Sequence, residues 1–160
     1  LYGFHLPLDG HPEIGNNALI AKAMRMHVVQ GFMREGERTV GVIAETERPL
    51  SRGEFLELAG KAFAHGVQHS LMFGAERICR VAICSGSGAS GIEEAISLGA
   101  DAFVTGEIKE SVPIACEELG FNLISCGHHR TEIFGVRALA KKIAEDLRIP
   151  AEFVDLDNPV

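Results

Sequence analysis

Imidazole and carboxylate side chains occur with the same spacing in two segments that are far apart in the chain. His5 and Asp9 are four residues apart in "HLPLD", and His128 and Glu132 are four residues apart in "HHRTE". Imidazole and carboxylate groups together suit Zn, Mn, Fe, Co or Ni, and a shared carboxylate can bridge two metals. The two pairs are therefore a candidate metal site if the fold brings them together.

Each pair also has a structural explanation when it is taken alone. Asp9 starts a loop rich in Pro and Gly, where an Asp that bonds nearby backbone is common. Thr131 is a candidate N-cap, and Glu132 would then lie in the first turn of the helix, where the helix dipole favours a carboxylate. From the residues alone, the metal site and these structural roles both stay open.

The order of the predicted elements indicates how the two pairs would meet. From "ICRVAICSG" onward, apolar strands alternate with helices through short loops. This alternation predicts an α/β fold, with a mostly parallel sheet flanked by helices in three layers. Ligands of such sheets bind at the carboxyl ends of the strands, and the candidate residues follow predicted strands. The predicted strands are "LYGFHL", "VVQGFM", "TVGVIAE", "ICRVAICSG", "DAFVTG", "FNLISC" and "AEFVDL".

Helix starts are predicted from capping residues. Asn16 or Asn17 is the expected N-cap of "ALIAKAMRM". Ser51 opens "SRGEF", a capping pattern that predicts a helix through about residue 64. A long amphipathic helix is predicted over "TEIFGVRALAKKIAEDL".

The segment "GSGASG" at residues 86–91 matches the pattern G-x-G-x-x-G. It follows a predicted strand and opens a helix, which is the context of a dinucleotide-binding turn, although such a strand usually begins its domain. A second interpretation is that the backbone N–H groups of the turn and the hydroxyls of Ser87 and Ser90 hold a phosphate or carboxylate of a substrate beside the metal site. The residues predicted to bind substrate in this way are Ser85, Gly86, Ser87 and Gly88.

Composition restricts the class of protein. The chain has 160 residues, which is enough for one domain over residues 1–160, and its formal net charge of −7 argues against a general nucleic-acid-binding surface. Its four cysteines form no C-x-x-C pair and lie in or beside apolar runs, as in reduced cytoplasmic proteins. Neither a membrane-spanning stretch nor a signal peptide is predicted.

Four segments occur in the order "HLPLDGHPEIGNNALIAKAM", "CSGSG", "GADAFVTGE" and "GHHRTE". Together they closely resemble the family of GTP cyclohydrolase 1 type 2 homologues, also called the Ngg-one-interacting-factor-three-like family. The resemblance runs along the whole chain. The chain resembles the short form of the family, which has no inserted domain.

The resemblance implies a toroidal homohexamer, built as a trimer of dimers, with two divalent transition-metal ions in each subunit. It implies that Asp9, His128 and Glu132 are metal ligands, that Glu132 bridges the metals, and that His5 lies beside the site. His129 falls at a position that is not a family ligand. The remaining family ligands are two adjacent histidines upstream of "HLPLD", so we expect that the chain shown lacks an N-terminal part of the fold.

The functional prediction is a metal-dependent hydrolase that acts on a nucleotide-like or heterocyclic substrate. Glu107 and His5 are the candidates for moving the proton. The first alternative is a non-enzymatic, metal-stabilised ring that acts as a scaffold or adaptor. The second alternative is a dinucleotide-dependent oxidoreductase that uses "GSGASG".

Overall fold

A computed structural model of the chain describes Gly3, residues 5–63, residues 65–156 and Asn158. The strands are β1 (His27–Glu35), β2 (Arg38–Ser51), β3 (His69–Met72), β4 (Arg77–Cys84), β5 (Ala102–Thr105) and β6 (Asn122–Ser125). The helices are α1 (Leu6–Asp9), α2 (Asn16–Ala23), α3 (Arg52–Ala62), α4 (Ile92–Ser97), α5 (Ser111–Leu119) and α6 (His128–Leu147), and a short 3-10 helix spans Gly88–Gly91.

The six strands form one sheet in the order β1-β2-β4-β5-β6-β3. The three central strands β4, β5 and β6 are parallel, because α4 and α5 carry the chain back between them. Both sides of this centre are antiparallel: β2 pairs with β4, β1 with β2, and β3 with β6. The α/β fold is as predicted, but the sheet is mixed, since three of its five pairings are antiparallel.

Helices cover both faces of the sheet and give the three predicted layers. One buried cluster joins the sheet to α2 and α3 through Ile20, Ala21 and Phe55. The other cluster joins the opposite face to α4 and α5 through Ile92 and Cys116. All residues of β5 and β6 are buried, as expected for strands covered on both faces. Apolar side chains on both sides of the central strands therefore hold their carboxyl ends in place.

Several predicted elements differ from the structure. The strand "LYGFHL" is wrong where the structure describes it, because His5 precedes α1 and Leu6 lies in that helix; Leu1, Tyr2 and Phe4 lie outside the described residues. The final strand "AEFVDL" is also wrong, since residues 151–156 pair with no described strand. Strand β3 was not predicted. No helix in the described part is both long enough and apolar enough to cross a membrane.

The starts of α2 and α3 show which predicted capping residues were correct. Ser51 caps α3 as predicted: its hydroxyl accepts from the backbone N–H of Glu54, and the Glu54 carboxylate accepts from the N–H of Ser51. The N-cap of α2 is Gly15 instead of an asparagine. Asn16 and Asn17 lie inside the helix and are buried, where their amides bond to other elements. Their contribution to the fold is therefore tertiary.

Candidate metal centre

Two helix segments bring the two predicted pairs into one crevice. His5 precedes the single turn of α1 and Asp9 ends it, and His128 and Glu132 lie one turn apart at the start of α6. Helix α6 begins three residues after β6 ends, so its first turn lies at the carboxyl end of the central strands. This is the edge of the sheet at which the sequence predicted a site.

Glu132 is the centre of the group. Its Oε1 atom lies 3.2 Å from Nε2 of His5 and 3.3 Å from Nε2 of His128. Nε2 of His5 is also 3.4 Å from Oδ2 of Asp9. His5, Asp9 and Glu132 each offer a ligand atom, and these atoms all lie within 4.8 Å of one another. Imidazole and carboxylate donors at this separation fit a divalent transition metal, and a carboxylate between two imidazoles fits a bridge.

Asp9 is buried, with 3% of its surface exposed. Its Oδ1 accepts a hydrogen bond of 2.6 Å from the side-chain amide of Asn16. Burial raises the pKa of Asp9, and the hydrogen bond from Asn16 opposes that effect. A buried carboxyl group of this kind gains most from a cation, which replaces the water that burial removed. In the described residues, the Asp9 side chain thus bonds to a side chain of α2, and not to the backbone of the following loop as the structural explanation expected.

Glu107 and Ser87 orient the imidazole of His128. Nδ1 of His128 lies 3.2 Å from Oε2 of Glu107, so Nδ1–H donates to the carboxylate and leaves Nε2 facing Glu132. The Ser87 hydroxyl donates to Oε1 of Glu107. These hydrogen bonds lower the pKa of Glu107, and the bond from Ser87 has a larger effect than the bond from His128. A carboxylate that accepts from the second nitrogen of a ligating histidine sets its tautomer and orientation.

Gly86 allows the two α6 side chains to approach the loop after β4. It has φ +62°, and a Cβ atom built on it would lie 2.5 Å from Oε1 of Glu132 and 3.0 Å from Nε2 of His128. A residue with a Cβ atom would be strained in this conformation and would displace the side chains of Glu132 and His128. The glycine in the turn therefore serves the site through its small size.

The structural explanation of Glu132 is also overturned. The helix begins at His128 after Gly127, so Thr131 is not its N-cap and lies within the helix. The buried Thr131 hydroxyl instead accepts a hydrogen bond of 2.9 Å from the N–H of Gly86. Thr131 thus attaches α6 to the loop after β4, and Glu132 faces the crevice beside it.

The predicted anion-binding turn has few free donors. The N–H of Ser85 donates to Asn17, that of Gly86 to Thr131, and that of Gly88 to Thr105. These three amides are not available to a phosphate, whether of a substrate or of a dinucleotide. Substrate binding by this turn stays a prediction, and the Ser87 hydroxyl is the member of the set that reaches the surface.

The crevice has a volume of about 410 Å³ and includes residues that the sequence did not indicate. Met33, Arg34 and Glu35, at the end of β1, form part of its wall. The thiol of Cys84 lies in it and is buried; burial, together with the charges of Asp9 and Glu132, raises its pKa to about 12. No local signal marks these residues, because a hairpin and a core cysteine have ordinary structural uses.

The second histidine of "HHRTE" points away from this site. Nε2 of His129 lies 3.4 Å from Oδ1 of Asp155, in the C-terminal segment. His129 is absent from the crevice lining, and it lines a separate cavity with Phe63 and Arg137. Adjacent residues of a helix point in directions about 100° apart, so one histidine faces the crevice and the other faces the C-terminal segment.

The sequence model of the Duf34/NIF3 family (NGG1p interacting factor 3) matches residues 1–159. The chain belongs to this family. A relative named GTP cyclohydrolase 1 type 2 homolog, from Haemophilus influenzae, is 37% identical over 159 residues, covering 99% of this chain and 63% of that protein. The relative of the same name from Deinococcus radiodurans is 39% identical over 160 residues, covering 97% of this chain and 59% of that protein.

Solved structures of similar proteins have the same fold. The structure described as protein ybgI, of unknown function, matches with a TM-score of 0.90 and 34% identity, over 100% of this chain and 63% of that chain. The structure of TTHA1606 from Thermus thermophilus matches with a TM-score of 0.85 and 31% identity, over 100% of this chain and 62% of that chain. The chain thus spans 63% or less of each of these four relatives. The family resemblance and the fold class are confirmed.

Proposed function

We propose that this chain carries the metal centre of a hydrolase that acts on a nucleotide-like or heterocyclic substrate. The observation that carries the proposal is the position of Glu132, whose Oε1 lies within 3.3 Å of two imidazoles beside the buried Asp9. The name of the relatives, GTP cyclohydrolase 1 type 2 homolog, supports a nucleotide as the substrate class by analogy.

Asp9, His128 and Glu132 would hold two divalent transition-metal ions. When bound, such ions act as Lewis acids and lower the pKa of water to near neutrality. Glu107 keeps Nδ1 of His128 protonated, so that Nε2 presents its lone pair to the crevice. Because Glu107 already accepts from both Ser87 and His128, its arrangement suits the positioning of His128 better than it suits proton transfer.

His5 has two proposed roles that one variant can separate. Its imidazole contacts Asp9 and Glu132, and 64% of its side chain is exposed at the mouth of the crevice. As a ligand it would hold metal, and as a base it would move a proton between substrate and solvent. In His5→Asn, loss of metal would assign the ligand role, whereas full metal content with lost turnover would assign proton transfer.

The test of the proposal is the metal content and turnover of full-length Glu132→Gln. A neutral amide is a poor bridge, so elemental analysis should show that bound metal falls at least about tenfold. Glu145→Gln is the matched control, because Glu145 lies on the same helix and pairs with Lys141 on the surface. The control should keep wild-type metal and wild-type hydrolysis of candidate nucleotides.

Two results would contradict the proposal. Unchanged metal in Glu132→Gln would reject the assignment of this residue. Metal bound by the wild-type protein without hydrolysis, in a coordination shell that protein ligands fill completely, would favour the scaffold function instead.

A further inference from the structure

A second cavity adjoins the metal crevice across the Gly-rich turn. It has a volume of about 240 Å³, and Ser87 and Ser90 line both spaces. Lys109 and Ser111, which come before and at the start of α5, complete its polar wall. A ligand in the crevice could therefore extend past Ser87 into the second cavity.

Three of the polar side chains that line this cavity, those of Lys109, Ser90 and Ser111, are donors without a hydrogen-bond or ion-pair partner in the described part of the chain. In the described part of the chain, no carboxylate lies within ion-pair distance of the Lys109 ammonium, and the hydroxyls of Ser90 and Ser111 form no hydrogen bond. All three side chains are exposed at the surface. An ammonium group among hydroxyls offers a charge-assisted donor and several neutral donors, which is the chemistry that recognises a phosphate group.

Glu107 is the group in the cavity that would repel an anion. Its two carboxylate oxygens already accept from the Ser87 hydroxyl and from Nδ1–H of His128. The nearby positive charge of Lys109 also acts on this carboxylate. An entering oxyanion would thus meet the donors of Lys109, Ser90 and Ser111, while both oxygens of Glu107 are occupied by other donors.

We propose that this cavity is the subsite for the phosphate group of a substrate whose reacting end lies in the metal crevice. The proposal rests on the proposed function, because the crevice is taken as the place of reaction. It assigns anion recognition to side chains of Lys109, Ser90 and Ser111. The N–H groups of Ser85, Gly86 and Gly88, which the sequence favoured, already have partners.

The experiment is a calorimetric titration of inorganic phosphate into the full-length protein, once loaded with metal and once treated with a chelator. Lys109→Gln should weaken phosphate binding about tenfold in both forms, because one charge-assisted contact is lost. Lys109→Arg should restore binding, and Ser111→Ala should weaken it less. The control Lys141→Gln removes a lysine charge from the surface of α6 and should change nothing. Guanosine 5′-monophosphate should displace the phosphate.

Each contrary outcome has a distinct meaning. Equal phosphate binding by wild type and Lys109→Gln, or no saturable binding to the chelated wild type, would overturn the subsite and leave the metal centre untouched. Lys109-dependent phosphate that the nucleotide cannot displace would assign the cavity to free phosphate and overturn its role in substrate binding. If the protein binds no metal even when metal is added, while phosphate binding still depends on Lys109, the proposed function is overturned and the anion site stands.

Discussion

Gly86 is a single residue on which the positions of two other side chains of the site depend. It lies after β4 with φ +62°, and its missing Cβ leaves room for Glu132 and His128. This backbone conformation is strained for residues that carry a Cβ atom. The carboxylate of Glu132 and the imidazole of His128 occupy the space where that atom would lie. We infer that the spacing of the two α6 side chains depends on this glycine.

The first prediction concerns Gly86→Ala. We expect a loss of about 1–3 kcal/mol in the free energy of unfolding, because the new methyl group meets Glu132 and the backbone keeps a positive φ. Bound metal should fall as Glu132 moves. Gly60→Ala is the matched control, since Gly60 lies inside α3 with nothing near its Cβ position, and it should stabilise the protein by about 0.5–1 kcal/mol.

Denaturant unfolding and elemental analysis measure both effects. If Gly86→Ala unfolded like the wild type and kept its metal, the loop would be able to adjust. The proposed restriction by Glu132 and His128 would then be wrong.

The second prediction concerns Asp9 and pH. Burial raises the pKa of Asp9, so the folded, metal-free protein binds this proton more tightly than the unfolded chain does. The contribution of Asp9 to stability is therefore fully present below the ordinary carboxyl pKa and is lost as pH rises through the raised pKa. Metal-free Asp9→Asn should be more stable than metal-free wild type at neutral pH, and this difference should shrink as pH falls.

Thermal unfolding of both proteins, with chelator and with metal, tests this prediction. With metal the order should reverse, because the wild type gains the binding energy of the ligand. A metal-free Asp9→Asn protein that is less stable than the wild type at neutral pH would show that burial is not the dominant effect on Asp9.

Thr131 holds the start of helix α6 to the loop after β4. The Thr131 hydroxyl accepts from Gly86 and lies within 3.0 Å of the carbonyl oxygens of Gly127 and His128. A second attachment comes from Asn16, whose side-chain oxygen accepts from the N–H of Gly135. The same asparagine donates to Asp9, so α2 connects α6 to the carboxylate of the site. These contacts set the direction in which His128 and Glu132 point.

The third prediction is that Thr131→Val destabilises the protein by about 1–3 kcal/mol. Valine has a similar shape but leaves the buried N–H of Gly86 without an acceptor. Thr131→Ser keeps the hydroxyl and should lose less. Urea unfolding of both variants measures the difference. A loss in Thr131→Ser that equals or exceeds the loss in Thr131→Val would assign the effect to packing of the methyl group that serine lacks, instead of to the hydrogen bond.

The fourth prediction belongs to the whole molecule. The family resemblance implies a homohexamer, and the described surface exposes apolar side chains that an assembly could bury, among them Val28, Ile114 and Leu147. We expect light scattering of the full-length protein to give six times the subunit mass at micromolar concentration. A stable monomer would contradict the hexamer and leave the metal site of one subunit to be tested separately.

The C-terminal segment is a case in which the sequence pattern predicted the wrong secondary structure. The alternation in "AEFVDL" predicts a strand, yet the segment packs on α6. Arg137 forms an ion pair of 2.6 Å with Asp155 and lies 4.8 Å from the ring centre of Phe153. A short run in which apolar and polar residues alternate can pack its apolar side against a helix as well as pair within a sheet. The alternation therefore does not indicate which of these occurs.

The sequence by itself was sufficient for features that nearby residues decide. The central strands are short apolar runs between helices, and the Ser51 cap is completed by Glu54 three residues later. The chemistry of the candidate site was also readable, since imidazole and carboxylate are metal-ligand types in any fold. Such features depend on contacts within a few residues, which the order of the chain contains directly.

Only the tertiary structure decided which distant groups meet. The contact between His5 and Glu132 spans 127 positions, and the position of α6 follows from packing and from hydrogen bonds by Asn16 and Thr131. The antiparallel pairing of β2 with β4 and of β3 with β6 was likewise hidden, because no short turn connects the two strands of either pair. The cavity beside Lys109 arises where separate loops approach each other. Long-range packing selects these contacts through burial and hydrogen-bond satisfaction over the whole core, which no local spacing records.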